Sequence, residues 1–197
     1  RFVTAQDGDN VARSLRTLFD QKSRAFARMG VPNIFEPPGH SAFLLDLASH
    51  PKSRHIAHVS RLDVGVTPAA ANLGLVFHGR YYHLLASRDD SDLSRFAPGI
   101  THLHGLLQHA IENGCREFDF TIGDERYKQD WCETETKLYD YVAAANVRGW
   151  PMAATGIAIG RTKRFIKQSP LLWGLVGKLR AGLSGGKGKP AADPAAD

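Results

Sequence analysis

The chain has 197 residues, 43% of them hydrophobic and 23% charged, with a formal net charge of +5. That length and apolar fraction suit one globular domain with appendages rather than two full domains. No window approaches the ~20 uninterrupted apolar residues of a membrane span, and no charged-then-apolar segment opens the chain, so nothing in it argues for secretion.

The first residue is Arg1 rather than methionine, and we expect a part of the protein to precede it. Only Cys115 and Cys132 are present, without partners at metal-ligand spacing, which fits reduced thiols in the cytoplasm. His102 and His104 stand two apart, so on a helix they diverge around the axis instead of converging on one ion; no metal is expected. Basic residues crowd the C-terminal end (Arg161, Lys163, Arg164, Lys167, Lys178, Arg180), while the middle of the chain is mixed in sign.

In chain order, Val11, Leu15, Leu18, Phe19, Phe26 and Met29 recur at helical spacing and predict an amphipathic helix ending near Gly30. A proline-rich joint, 32–38, leads to a shorter helical pattern over 41–49 with Phe43, Leu44 and Leu47. From Arg54 the period changes to two. Ile56, Val59 and Leu62 fit one strand; Leu73, Leu75 and Phe77 fit a second. Gly79 and Arg80 then read as a glycine-first type II′ loop into a third strand from Tyr81, making an antiparallel hairpin. Ile100, Leu103, Leu106, Leu107, Ala110 and Ile111 trace one face of a helix closed by Gly114.

The next predicted strand covers 117–122, with Phe118, Phe120 and Ile122 on one face and Asp119 and Thr121 on the other. A cluster follows it: Gly123, Asp124, Glu125, Tyr127, Lys128 and Trp131, two acids, a lysine and two aromatic rings behind a glycine, more than a connecting loop needs. A further strand is predicted over 138–145. The whole is an α/β or α+β arrangement, a mixed sheet with helices packed on it. The domain is read as 1–150, basic C-terminal helices as 151–183, and a Gly-, Lys-, Pro- and Ala-rich disordered tail as 184–197.

The segment 95–99 feeds straight into a helix, offering an anion backbone N–H groups, the helix dipole and the charge of Arg95. Taken alone, it is equally a loop whose Pro98 and Gly99 set the turn. Together, Gly79-Arg80-Tyr81-Tyr82 on a hairpin, Arg95-x-x-Pro98-Gly99 at a helix start, Phe118-Asp119-Phe120 on a strand and Gly123-Asp124-Glu125-x-Tyr127-Lys128-x-x-Trp131 after it resemble the CelD-like, cellulose-biosynthesis type acetyltransferases. These belong to the GNAT superfamily and are related to the Fem peptidyltransferases.

The resemblance implies the GNAT fold, a mostly antiparallel mixed sheet flanked by helices, and transfer of an acyl group from acetyl-CoA or another acyl-CoA to an amine. It implies that the donor's phosphates rest on Arg95, Pro98, Gly99, Ile100, Thr101 and Lys128. Asp119 or Asp124 would take the amine proton, Tyr127 would protonate the leaving sulfur, and Tyr82, Glu125 and Trp131 would line the acceptor side. The loop has Gly99 alone where the family's pattern carries further glycines, so a Fem-like aminoacyl-tRNA donor and a non-catalytic module of a polysaccharide-synthesis complex stay open. Plain structural readings stay open too: Asp119 on a solvated face, Lys128 in an ion pair, Trp131 in the core. The expected acceptor is a small or sugar-linked amine of exopolysaccharide or cell-envelope metabolism. The basic C-terminal helices are either a cap or a peripheral contact with the inner membrane.

Overall fold

The computed structural model describes residues 1–123, 125–139 and 141–168. It divides into two compact units, the first of residues 1–128 and the second beginning at Gln129.

In the first unit, α1 (Gly8–Met29) starts at Asp7, whose carboxylate accepts from the Asn10 N–H at 2.8 Å, and closes on Gly30. Its apolar stripe, Val11, Leu15, Leu18 and Phe19, is buried against one face of the sheet together with Val59, Ala71 and Leu73. The second helix, α2 (Pro38–Ser49), adds Ala48, while Phe35 from the joint packs its ring 4.9 Å from Phe19.

Five strands follow the chain in spatial order: β1 (Phe2–Thr4), β2 (Ala57–Val64), β3 (Thr67–Phe77), β4 (Arg80–Arg88) and β5 (Glu117–Asp119). All neighbours are antiparallel except β4 and β5, which run parallel. A parallel pair needs a crossover, and α3 (Pro98–Glu112) supplies it, burying Leu103, Leu106 and Ala110 on the second face of the sheet. There Leu106 and Ala110 meet Tyr81, which has no exposed surface, with Phe2 and Phe118 beside them.

Tyr81 crosses its neighbour at a glycine. A Cβ added to Gly74 would stand 2.4 Å from the Tyr81 Oη, so no other residue fits under the ring without displacing it.

Several expectations need correction. The hairpin loop is His78 and Gly79, not Gly79 and Arg80: Phe77 pairs with Arg80, and both loop residues have positive φ, 51° and 75°, which makes the turn type I′. The strand expected over 117–122 ends at Asp119, because Thr121 has φ 59° and turns the chain away; Ile122 is consequently 82% exposed instead of sharing the Phe118 and Phe120 face. Among the described residues of 138–145 there is no strand. Asp140 and the alanines at 143–145 are poor strand formers and offer little surface for a sheet to pack on. In the second unit a single turn, Val147–Gly149, capped by the Asn146 side chain, leads into α5 (Trp150–Gln168). The second basic helix and the tail expected further on lie outside the described residues.

Candidate functional site

At the start of α3 the backbone carries an unusual residue. Ala97 is the N-cap with φ 47° and ψ 53°, a left-handed conformation that costs a side-chain-bearing residue about 1–2 kcal/mol. It brings its carbonyl to the N–H groups of Ile100 and Thr101, both at 3.1 Å, and the Thr101 hydroxyl returns to the same oxygen at 3.3 Å. Pro98 is buried and Gly99 lies against the Arg88 stem, where an added Cβ would be 3.6 Å from the Arg88 Cδ.

Beside this helix start is a cleft of about 290 Å³ lined by Arg28, Arg88, Asp90, Ser94 and Arg95. Three guanidinium groups face one carboxylate there. Asp90 is held by Arg24 at 3.6 Å and by a close pair with Arg28, which ties the end of α1 to the end of β4. Of these residues Arg95 was legible from its place before a helix. Arg28 and Arg88 were not, because only the fold brings the end of one helix and the end of one strand to the same loop.

Five residues back along β4, about 16 Å at ~3.3 Å per residue, the parallel pair comes apart. β4 and β5 are in register only from Arg80 with Glu117 to Tyr82 with Asp119. Past that point the Thr121 hydroxyl donates to the His83 carbonyl at 3.1 Å, and its N–H is taken by Asp119 Oδ1 at 2.7 Å. A β-branched residue at positive φ is rare, and these two bonds hold it in place where the strands diverge.

Five of the sequence-derived residues lie around this opening. Lys128, on the single turn α4 (Arg126–Gln129), is buried, with Nζ 2.8 Å from Glu125 and 3.3 Å from the Ile122 carbonyl. Burial is the largest single influence on the Glu125 carboxyl and raises it, but the Lys128 hydrogen bond, a backbone hydrogen bond and the charges of Lys128 and Lys22 together outweigh it, and the net shift is downward. Lys22, from α1, also feels Glu125, although burial pushes its own ammonium down. Tyr127 packs edge-on to Phe120 with centroids 6.3 Å apart. Asp119 accepts from Arg80 at 3.2 Å as well as from Thr121, so both of its oxygens are engaged in holding the turn. Tyr82, on the opposite side of β4 from Tyr81, lies under the Arg80 guanidinium at 5.8 Å. Asp124 lies outside the described residues, and Trp131 belongs to the second unit.

Between the two ends of the site runs a buried polar network that no sequence motif announced. At the junction of β3 and β4, Leu73 pairs with Leu85 but Gly74 pairs with His83, leaving Leu84 as an extra residue. Asn72 fills this irregularity. The Leu85 carbonyl can only accept and the Gly74 N–H can only donate, so the Asn72 amide places its nitrogen 3.1 Å from the first and its oxygen 3.2 Å from the second. Its nitrogen then also donates to His83 Nδ1 at 3.0 Å, and its oxygen accepts from the Tyr81 hydroxyl at 2.8 Å. The Tyr81 oxygen in turn takes the proton of His58 Nδ1, 2.8 Å away. One carbonyl and one amide thereby fix the tautomers of two histidines. His83 carries its proton on Nε2; His58 has an unprotonated, buried and unpartnered Nε2 and stacks on His109 at 4.1 Å. Burial depresses His58 to about 3 and His83 to about 4, so both are neutral near pH 7.

A mostly antiparallel sheet whose one parallel pair opens along a strand that ends at an arginine-lined helix start is the framework of an acyl-transfer enzyme. The chain belongs to the GNAT acetyltransferases: residues 1–129 match the model of the acetyltransferase (GNAT) domain, a span that takes in all of residues 1–128 of the first unit. It is thus an enzyme of a family whose co-substrate is acyl-CoA, with the mixed α/β fold of that family. Among solved structures it is similar to an aminoglycoside acetyltransferase from an uncultured soil metagenomic sample, crystallised with sisomicin, at 15% identity and TM-score 0.50, covering 74% of this chain and 96% of that one. It is also similar to a probable acetyltransferase at 10% identity and TM-score 0.51, covering 74% of this chain and 98% of that one. No curated protein matches the chain. Among the described residues no group of three His, Cys, Asp or Glu side chains is placed to hold a metal ion, and no helix is long and apolar enough to cross a membrane.

Proposed function

We propose that this protein is an N-acyltransferase that takes its acyl group from acyl-CoA, holds the donor's diphosphate in the cleft of Arg28, Arg88 and Arg95, and passes the acyl group to an amine at the opening between β4 and β5. The observation that carries this reading is the joining of the two places by one strand. Arg88 ends β4 at the helix start, and His83 stands on the same strand where β5 leaves it. A diphosphate and a thioester at opposite ends of an extended arm need that separation.

The residues present suit the donor. Three guanidinium groups beside a helix N-terminus favour a diphosphate, and the αL conformation of Ala97 gives the loop the tight turn that a glycine usually supplies. The bound donor supplies an activated acyl thioester. In this scheme Tyr127 returns a proton to sulfur, Glu125 receives the amine proton directly or through water, and Lys128 keeps Glu125 ionised. Asp119 acts in this scheme as the brace of the Thr121 turn rather than as the base, since both its oxygens are occupied. Asp124 keeps the role of second candidate base.

For the acceptor we propose a sugar-linked amine in exopolysaccharide or envelope metabolism, on the strength of the CelD-like motif order, with peripheral contact to an anionic membrane through the basic residues of α5 and beyond. Calorimetric titration of acetyl-CoA tests the donor and thiol release across a panel of amino sugars and other amines tests the acceptor. Absence of binding heat at millimolar acetyl-CoA refutes the acyl-CoA reading and favours aminoacyl-tRNA; thiol release that ignores amino sugars refutes the acceptor class.

A further inference from the structure

His83 lies outside every motif that the sequence offered, yet it is buried at the point where β4 and β5 part. Its backbone is the first on β4 beyond the paired stretch that ends at Tyr82 and Asp119. Its ring lies 5.9 Å from Phe118, inside the paired stretch, and 6.0 Å, edge-on, from Phe120, the first residue past it. The ring therefore stands at the edge of the opening, spanning its paired and unpaired sides, and is only 8% exposed.

We propose that His83 is a catalytic hydrogen-bond donor of the acyl-transfer site, its Nε2–H meeting the negative charge that develops on the thioester oxygen, and that Asn72 is the positioning residue that fixes this tautomer. The proposal rests on the acyl-CoA reading above. Asn72 occupies Nδ1, so the proton is on Nε2, and the amide cannot reorient without setting its oxygen against the Leu85 carbonyl. Behind it the Tyr81 hydroxyl and His58 hold the amide from the other side. Tyr81 itself is clamped face to face on Phe118 at 4.9 Å. A donor held this way needs no reorganisation when charge appears, which is the condition for large electrostatic stabilisation.

The charged surroundings favour a neutral donor over an imidazolium. Burial is the main cause of the low His83 proton affinity, Lys128 and Lys22 add to it, and Glu125 alone opposes it; on the α3 side the neighbour is His102, itself neutral and depressed by burial. His83 then gives a hydrogen bond without giving up its proton. The amine nitrogen bonds to the acyl carbon, the carbonyl electron pair shifts to the oxygen facing His83 and returns as the carbon–sulfur bond breaks. The proton lost by the amine balances the one gained by the thiolate, so no other reactant is required.

Nitrogen-15 spectra of histidine-labelled protein, with His83 assigned through His83→Gln, read the tautomer without any donor present. The expected result is an Nε2–H imidazole that stays neutral down to about pH 5; an Nδ1–H form, or titration near the ordinary histidine value, overturns the proposal. Kinetics supply the second test. His83→Ala is expected to lower kcat about 100-fold with little change in the acetyl-CoA KM, and His83→Gln, which keeps an N–H at similar reach, to recover about tenfold of that. A wild-type protein that releases thiol while His83→Ala turns over equally fast overturns the role of His83 alone. A wild-type protein that binds no acyl-CoA and releases no thiol overturns the donor reading and this role with it.

Discussion

Lowering the pH should unfold this protein well before its carboxylates are titrated, because three histidines are buried neutral. Burial takes His58 and His102 from the usual 6.5 to about 3 and His83 to about 4. In the unfolded chain each binds a proton below about pH 6.5, whereas in the folded chain none does until about pH 4. Between those limits the unfolded state holds more protons, so stability falls as pH falls, by about 1.4 kcal/mol per pH unit for each group. From neutral pH to about pH 5 that is about 2 kcal/mol per histidine and about 6 kcal/mol for the three, comparable with the whole stability of a typical domain. Urea unfolding followed by far-UV circular dichroism at about pH 7, 6 and 5 measures the slope. His102→Gln, which keeps a polar partner for Ser60, should remove about a third of it. A total loss below about 2 kcal/mol by pH 5 would mean that at most one of the three differs between the folded and unfolded states, and the reading of His58, His83 and His102 as buried neutral groups would be refuted.

Other substitutions follow from single geometries. Gly74→Ala places a methyl 2.4 Å from the Tyr81 hydroxyl, which its bonds to Asn72 and His58 keep from moving; a loss of about 2–3 kcal/mol in urea unfolding is expected, and an unchanged midpoint refutes the close approach. Ala97→Gly relieves a left-handed φ of 47° and should raise stability by about 0.5–1 kcal/mol after the added chain entropy is subtracted, read as a higher melting temperature. Arg88→Ala and Arg95→Ala should each weaken acetyl-CoA binding about tenfold while leaving the affinity for a phosphate-free acetyl-pantetheine unchanged; equal losses for both ligands would move the diphosphate elsewhere.

The sequence made the helices readable because their stripes are regular. Val11, Leu15 and Leu18, and Leu103, Leu106 and Ala110, repeat at a period that only a helix satisfies, and Gly30 marks an end. The central strands were visible where large apolar residues recur at every second position, as at Leu73, Leu75 and Phe77, and were cut short where they do not. The run Ala69, Ala70, Ala71 is fully buried on both sides, so alternation disappears. β1 was missed because three residues carry too little pattern. For the site, the cluster of Glu125, Tyr127 and Lys128 and the helix start at Pro98 were recognisable as local concentrations of chemistry. Arg28, Lys22, Asn72 and His83 were not, since their importance comes from β3 and β4 lying side by side and α1 crossing them, and each looks ordinary among its sequence neighbours.

The glycine under Tyr81 also sets the alignment of the hairpin. A slip of two residues between β3 and β4 would keep every side chain on its proper face, so burial pattern alone does not forbid it. It would, however, bring the Tyr81 ring over Asn72 or Val76 instead of over Gly74, where no Cβ stands in the way. One missing methyl group therefore tells two strands how to line up. The irregularity at Leu84, the amide that fills it and the histidine at the parting of the sheet are all located by counting from that position.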